Sequence, residues 1–474
     1  PAAWVILPTY VVAFPVMSPM GLAKYANYSN VIGVFIQLLG LLLLFLSHRM
    51  NIYTICGLTS FTEVSVFMYR LFYYQFVMKG IKTMLNNIGE ACTACRACEQ
   101  ICPNSAIIFE KDEYGNIYPQ VLEDKCTWCG LCNSVCHVQN TVSLHTITKY
   151  YAGFSNDEDR KNSASGGICA AIYQMGLKEG YKVFGVIQEE NFQAKYIEIR
   201  SSLDIVNSRN SKYTYSDMRD CFYAVLKYLK QNEKVIFIGL PCQLAALKCH
   251  VNRILSNSKK LFLVELMCHG IASHQYLLDH MRQIEKRTRK QAKTISFRDP
   301  AYGTEKHIIS CRDERKKLIY HSSEKQGDEY QIGYHNGVIY RENCYSCRYT
   351  GMHRNGDLLL ADWYRDRSAP EIKFQDHSVN SIFVCSDSGE AFLEHLVKNG
   401  YIQVFERPLS EALKIQRTLH KPTERSPLRD QFLSIYKETK DFDKSIRRAC
   451  RGLIRKKKII ILVTDVLEIL IQKL

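Results

Sequence analysis

The chain has 474 residues, 46% of them hydrophobic, enough for about two to four domains with sizeable cores. Its 19 cysteines fall largely in tight C-x-x-C spacings, which excludes a small disulfide-stapled secreted fold and points to metal ligation in a reducing compartment. The formal net charge of +15 points to acidic partners: an electron-donor protein, an anionic cofactor or anionic lipid. No interleaved basic and aromatic motif favours nucleic acid.

The sequence opens on Pro1, so the true start is expected upstream or removed by processing, and no signal-peptide pattern is visible. Residues 1–80 read as a membrane segment of about three helices. Residues 31–47 (VIGVFIQLLGLLLLFLS) are an almost unbroken apolar run, about long enough to cross a ~30 Å hydrocarbon core. Residues 3–20 form a Pro-interrupted apolar segment, and residues 52–77 a third that contains Glu63 and Arg70. Those two charges share a helix face, and in a membrane they would face protein or an aqueous cavity. The competing reading is a buried soluble hairpin. The stretches PMGLAKYANYSNVIGVF and MYRLFYYQF resemble the C-terminal helices of polysaccharide flippases. Three helices cannot form a transport path, so the resemblance implies a remnant or fusion that serves as an anchor. The chain is then expected on the cytoplasmic side of a bacterial cell membrane, or soluble in the cytoplasm if residues 1–80 are an artefact.

Residues 81–147 hold two cysteine motifs. The first is Cys92-x2-Cys95-x2-Cys98-x3-Cys102-Pro103, and the second is Cys126-x2-Cys129-x2-Cys132-x3-Cys136. Three thiolates at this spacing grip one face of an iron–sulfur cubane, and the fourth ligates the other cluster. Cluster 1 is therefore assigned to Cys92, Cys95, Cys98 and Cys136, and cluster 2 to Cys102, Cys126, Cys129 and Cys132. Two zinc sites are the alternative, disfavoured by the doubled triple run. The segment resembles the bacterial two-cluster ferredoxin module, with residues 106–109 and 115–119 as its hairpin and His137 where proline often stands. Potentials near about −400 mV are expected.

From residue 149 the texture becomes α/β. Lys182–Gln188, residues 234–239 and Leu261–Leu266 read as buried strands, with helical patterns at 217–230 and 275–285. Ser163-Ala-Ser165-Gly166-Gly167 opens a helical run, where free backbone N–H groups suit an anion; a plain helix cap is the blander reading. Gly239-Leu-Pro241-Cys242-Gln243 follows one strand and puts Cys242 at a helix start. Cys268-His269-Gly270 follows the next strand, and Cys344-x2-Cys347 lies further on. Each cysteine alone reads as structural. Together Cys242, Cys268, Cys344 and Cys347 make a ligand set for a third cubane, with structural zinc as the alternative. His269 and His353 are candidate proton donors, Lys212 and Arg298 candidate anion binders, and no nucleophile set suggests hydrolysis.

The ordered set SASGGI, GLPCQ, CHG, FRDP, CxxC and GDLLLADW resembles the family of coenzyme F(420) hydrogenase and dehydrogenase beta subunits over roughly residues 84–425. The resemblance implies FAD beside the third cluster. It implies FAD contacts at Ser163, Ser165, Gly166 and Gly167, at Lys212 and Tyr213, and at Gly239, Pro241 and Gln243. Ala361, where glycine is common, and Pro300, where lysine is common, depart from the pattern and bear on substrate choice.

The expected architecture is multidomain α/β. Transmembrane helices (1–80) precede a two-cluster 4Fe–4S ferredoxin module (81–147) of α+β type. An α/β flavin-binding region in two parts (148–232 and 233–425) follows, and a basic helical tail (426–474) closes the chain. Residues 423–458 read as loosely structured, and 459–471 as an amphipathic helix. The expected function is an iron–sulfur flavoprotein oxidoreductase relaying electrons between a ferredoxin-like or other oxidoreductase partner and a small molecule. The flippase-like head suggests a place in surface-polysaccharide metabolism. The alternatives are an electron-transfer subunit without its own substrate, and a membrane export protein fused to a redox domain.

Overall fold

The computed structural model describes residues 23–86, 88–218, 220–255, 258–363 and 378–457, so the apolar stretches at 3–20 and 459–471 lie outside the described residues. The chain resolves into two compact units. One comprises residues up to 89 with 101–108 and 119–135, and the other comprises 90–100, 109–118 and 136–474.

The first unit contains a pair of packed helices, Ala23–Leu46 and Ile52–Asn86. Its polarity is inverted. Val34, Phe35, Leu38, Leu42 and Leu43 point outward, as do Phe61, Met68 and Phe72 of the second helix. The seam between the helices is polar instead: Arg70 is buried and donates to Ser29 Oγ at 2.7 Å and Asn30 Oδ1 at 2.5 Å. Gln37 bonds Thr59 and Thr62, and Gly33 and Gly40 leave no room for a side chain against Val66 and Leu58. Small residues and interhelical hydrogen bonds are how helices associate where no hydrophobic effect drives them together. Among the described residues only Tyr25–Leu46 is long and apolar enough to cross a membrane, which corrects the expectation of several such spans. The 52–77 segment is helical, but its polar residues keep it below that standard.

The second unit is organised by a nine-stranded sheet. Its order is Ile402–Glu406, Lys149–Ser155, Asn380–Val384, Leu358–Asp362, Leu261–Leu266, Val235–Gly239, Lys182–Gln188, Ala194–Ile199 and Ser216–Asp217. The four strands from Leu358–Asp362 to Lys182–Gln188 are mutually parallel. Val235–Gly239 is buried at every position, which explains its unbroken apolar run. Residues 148–232 and 233–425 therefore share one sheet. Ile168, Ile172, Val183, Ile236, Val264, Leu360 and Ile382 form the core on one face.

A second core lies among the helices His274–Thr288, Glu329–His335, Arg429–Thr439 and Phe442–Ala449 and the small sheet of Thr294–Ser296, Ile309–Arg312 and Leu318–Ser322. Phe432, Phe442 and Ile446 are fully buried in it. The expectation of a loosely structured stretch over 423–458 is thus corrected: Tyr436, Ala449 and Cys450 are buried beside these three, and Arg429 and Asp443 are buried with them, while most of its other charges face outward.

Candidate functional site

The two cysteine triples share one backbone device. Ala94 and Arg96 in the first, and Trp128 and Gly130 in the second, all have left-handed φ values between 55° and 75°. These residues curl the chain so that amides turn toward sulfur: Ala94 N–H donates to Cys92 Sγ at 3.3 Å, and Trp128 N–H to Cys126 Sγ at 3.4 Å. Non-glycine residues adopt this region at a cost, and such strain gathers at ligand-holding sites. In the first unit, Cys102, Cys126, Cys129 and Cys132 line one hollow, and Ala106 N–H reaches Cys102 Sγ at 3.3 Å. In the second unit, burial first, and then the nearby Cys92 and Cys136, push the Cys95 thiol up to about 12. Cys102 thus lies with Cys126, Cys129 and Cys132, and Cys136 lies near Cys92 and Cys95.

The third set is assembled across the sheet. Cys242 stands on the first turn of the helix Pro241–Ile254, where Pro241 needs no N–H partner and Gln243 Oε1 accepts from Leu240 N–H at 3.0 Å. Cys268 follows the adjacent parallel strand, so both lie at the C-terminal edge of the sheet, where α/β folds place their sites. Cys344 and Cys347 complete the ring, and all four line one cavity of about 170 Å³. Burial first, and the charges of the other cysteines second, push the Cys242 and Cys268 thiols far up. Burial pushes Cys344 up to about 11. Four desolvated, mutually repelling thiols fit a cationic iron–sulfur core, which relieves both penalties. Cys242 also feels the charge of Cys95, so the first and third sets are neighbours within the second unit.

A buried ion pair frames this third set. Arg354 and Glu265 meet at 2.5 Å with almost no exposure, and Glu265 also accepts from Asn355 and Gly356 N–H at 2.8 and 3.1 Å. Asn355 then donates to the Pro241 carbonyl at 3.1 Å. One carboxylate therefore links the strand leading to Cys268, the loop after Cys347 and the turn that holds Cys242. Sequence reasoning missed these residues; the signal was Glu265, the single charge in an otherwise apolar strand (LFLVEL).

Further rivets fix the first set in the second unit. Arg341 donates to the Cys92 carbonyl at 3.0 Å, and Tyr215 Oη to the Ala94 carbonyl at 2.8 Å. Arg96 pairs with Asp217 at 3.1 Å. His137 is buried between Thr93 Oγ1 at 2.9 Å and Tyr349 Oη at 2.6 Å. Burial, then Arg348, pushes His137 down to about 3, so the neutral ring accepts at one nitrogen and donates at the other.

The residues expected at FAD have mixed environments. Gly166 and Gly167 are required by packing, since side chains there would strike Asn380 and Ser155; Gly167 has φ +83°. Ser163 is buried, and Ser165 Oγ donates to the Val379 carbonyl at 3.0 Å. Gly239 makes room for Tyr196 Oη, which donates to Gln243 Oε1 at 2.6 Å, while Gln243 Nε2 donates to Ser216 at 2.9 Å. The Gln243 amide is thus spent within the fold. Lys212 closes the end of the helix Ser202–Ser208, donating to the carbonyls of Ser208 and Arg209 at 2.8 and 2.9 Å, and burial pulls it down to about 7. Tyr213 stacks on Tyr334 with centroids 4.5 Å apart. Between residues 208 and 214 four buried atoms have no partner among the described residues: Ser208 Oγ, Arg209 Nε, Asn210 Oδ1 and Thr214 Oγ1. That orphaned polar strip fits a polar ligand such as FAD.

Arg298 pairs with Asp362 at 2.6 Å, at the C-terminal end of the parallel strand Leu358–Asp362. His269 and His307 lie near that pair, and His307 packs edge-on to His335 at 4.9 Å. His307 Nδ1 is buried with no partner among the described residues. His353 is exposed and bonds Thr146, away from the cysteine cavity's lining.

Comparison with known proteins agrees with this anatomy. The family "Coenzyme F420 hydrogenase/dehydrogenase, beta subunit" matches with its N-terminal part at residues 150–222 and its C-terminal part at 232–408, and the 4Fe–4S dicluster domain matches at 91–140. An F(420)H(2) dehydrogenase subunit of Methanosarcina mazei is 24% identical over 202 residues, 40% of this chain and 56% of that protein. Coenzyme F420-dependent sulfite reductase of Methanocaldococcus jannaschii is 27% identical over 176 residues, 35% of this chain and 26% of that protein. The chain thus spans about half the length of the first relative and about a quarter of the second. The F420-reducing [NiFe] hydrogenase complex of Methanosarcina barkeri overlays at a TM-score of 0.37 and 16% identity, covering 66% of this chain and 94% of that one. With a dicluster segment leading into both parts of the matching region, the chain belongs to the family of coenzyme F420 hydrogenase/dehydrogenase beta subunits.

Proposed function

We propose that this chain is an iron–sulfur flavoprotein oxidoreductase that moves electrons between a redox partner protein and a small-molecule substrate. The observation that carries the reading is the convergence of Cys242, Cys268, Cys344 and Cys347 on one cavity that Ala91 and Thr93 of the first cysteine segment also line. Cys92, Cys95, Cys98 and Cys136 would hold one 4Fe–4S cluster, Cys102, Cys126, Cys129 and Cys132 a second, and the converging set a third. Bound FAD would supply the exchange between one-electron and two-electron chemistry. The strip 208–214 and Lys212 would orient it, and the SASGGI turn would shape the wall beside it. Arg298, held by Asp362, would position an anionic substrate group, and His307 Nδ1, which has no partner among the described residues, would bond it. The relatives named as a dehydrogenase subunit and a coenzyme-dependent reductase support an oxidoreductase that works with a partner protein.

The inverted helix pair supports a membrane anchor at residues 23–86 on the cytoplasmic side of the membrane, and the flippase-like head supports a substrate of surface-polysaccharide metabolism. Anaerobic purification with iron, sulfide and flavin quantification tests the reading. A reconstituted protein that binds no flavin sinks it, and substrate turnover by the isolated chain separates it from a pure electron-transfer subunit. A full-length product that fractionates wholly as soluble sinks the anchor.

A further inference from the structure

His137 follows Cys136 directly, and Tyr349 stands two residues after Cys347. The chain thus attaches one ring to the first ligand set and the other to the third. The two rings meet in a 2.6 Å contact between Nδ1 and the hydroxyl, with centroids 5.6 Å apart. Their exposures are 1% and 5%, so no water layer separates them. Thr93, between Cys92 and Cys95, holds the far nitrogen of His137. Arg348 donates to the carbonyls of His137 and Val138 at 3.3 and 2.9 Å, which clamps the same two segments. His137 and Tyr349 line the cavity that holds all four cysteines of the third set.

We propose that the His137–Tyr349 contact is the bridge that couples the first ligand set electronically to the third; this rests on the reading that both sets hold 4Fe–4S clusters. A short buried hydrogen bond is a better conduit than a gap across packed but unbonded atoms. It also fixes the separation of the two sets by joining their chain segments directly. A proline at position 137 would have no side chain able to make either bond. In each event the donor set's cluster is oxidised by one electron and the acceptor set's is reduced by one. No bond breaks and no proton moves, and His137 and Tyr349 end unchanged. The rival route is the approach of Cys95 to Cys242, whose charges act on one another within the second unit.

The test uses the full chain, reconstituted anaerobically with iron and sulfide, as parent, Tyr349→Phe and His137→Phe. Iron content and thermal midpoint are measured first. Redistribution of one electron after flash photoreduction is then followed by freeze-quench EPR, with a Cys242→Ser protein identifying the third-set signal. Both variants are expected to keep the parent's iron and midpoint and to slow the transfer several-fold. A Tyr349→Phe protein with full iron and the parent's rate overturns the bridge and assigns the transfer to the Cys95–Cys242 approach. Loss of first-set iron in Tyr349→Phe overturns it in favour of scaffolding. A parent protein without a third-set signal overturns the underlying reading and this one with it. Where His137→Phe fails to fold, Tyr349→Phe, which removes one oxygen, decides.

Discussion

The second and third cysteine sets solve one chemical problem in opposite ways. Cys102, Cys126, Cys129 and Cys132 lie within a short stretch, and left-handed turns at Trp128 and Gly130 do most of the shaping. Cys242 and Cys268 come from two strand ends, and Cys344 and Cys347 from the distant short helix Glu342–Tyr345 and the turn after it, so only tertiary packing brings them together. The local set can form wherever its segment folds. The assembled set depends on every contact that frames it, so mutations far from any cysteine should damage it selectively.

The sharpest way to break this comparison is to remove one ligand from each. Cys242→Ser should cost about four irons and leave the others in place, and Cys126→Ser should do the same for its own set. Iron per chain checks both, and unchanged iron in Cys242→Ser would reject the third site. The next effect is expected at the frame. Glu265→Gln leaves Arg354 buried without its counter-charge, which should destabilise the second unit by about 3–5 kcal/mol in denaturant unfolding. Iron of the third set should fall before that of the second.

A smaller effect separates two glycines of the assembled region. Gly270 has φ +151°, and a side chain there would overlap the Tyr340 ring, so Gly270→Ala should cost about 1–3 kcal/mol or more through strain and repacking. Gly351 has φ +97° but open space around it, so Gly351→Ala should cost about 1 kcal/mol. Equal losses in thermal midpoint would show that packing at Gly270 contributes nothing.

The gentlest probe is pH. Burial works to lower the pKa of His280, but Asp328 and Asp443 overcome it and raise it from 6.5 to about 10. His280 contacts Asp443 at 2.6 Å and Asp328 at 3.2 Å, while Tyr320, Arg287 and Arg447 bond the surrounding carboxylates. A raised histidine pKa gives stability that is complete below pH 6.5 and fades as pH rises through about 10. The thermal midpoint should therefore fall across that window, and His280→Gln should flatten the fall. This network ties the helix Phe442–Ala449 to the core that adjoins the third set.

Much of the fold was legible. The strands Lys182–Gln188 and Leu261–Leu266 fall where apolar runs end in glycine or polar residues, because a parallel sheet buries both faces. The basic tail was misjudged because its buried apolar side chains, among them Phe432, Phe442 and Ile446, are outnumbered by charges, two of which, Arg429 and Asp443, are themselves buried. The second helix of the first unit reads as a span by its apolar content, yet its polar residues serve the seam with its neighbour.

Spacing alone singled out the eight cysteines from Cys92 to Cys136 as candidate ligands, because ligands three residues apart need only a local curl of backbone. Two apolar strand patterns and one C-x-x-C pair singled out the four cysteines of the third set as candidates, but not what holds them. Tertiary structure decided that Glu265, Arg354 and Asn355 frame them and that His137 meets Tyr349. Those partners are separated by scores of residues, and no local pattern records which distant side chain will satisfy a buried charge or ring nitrogen.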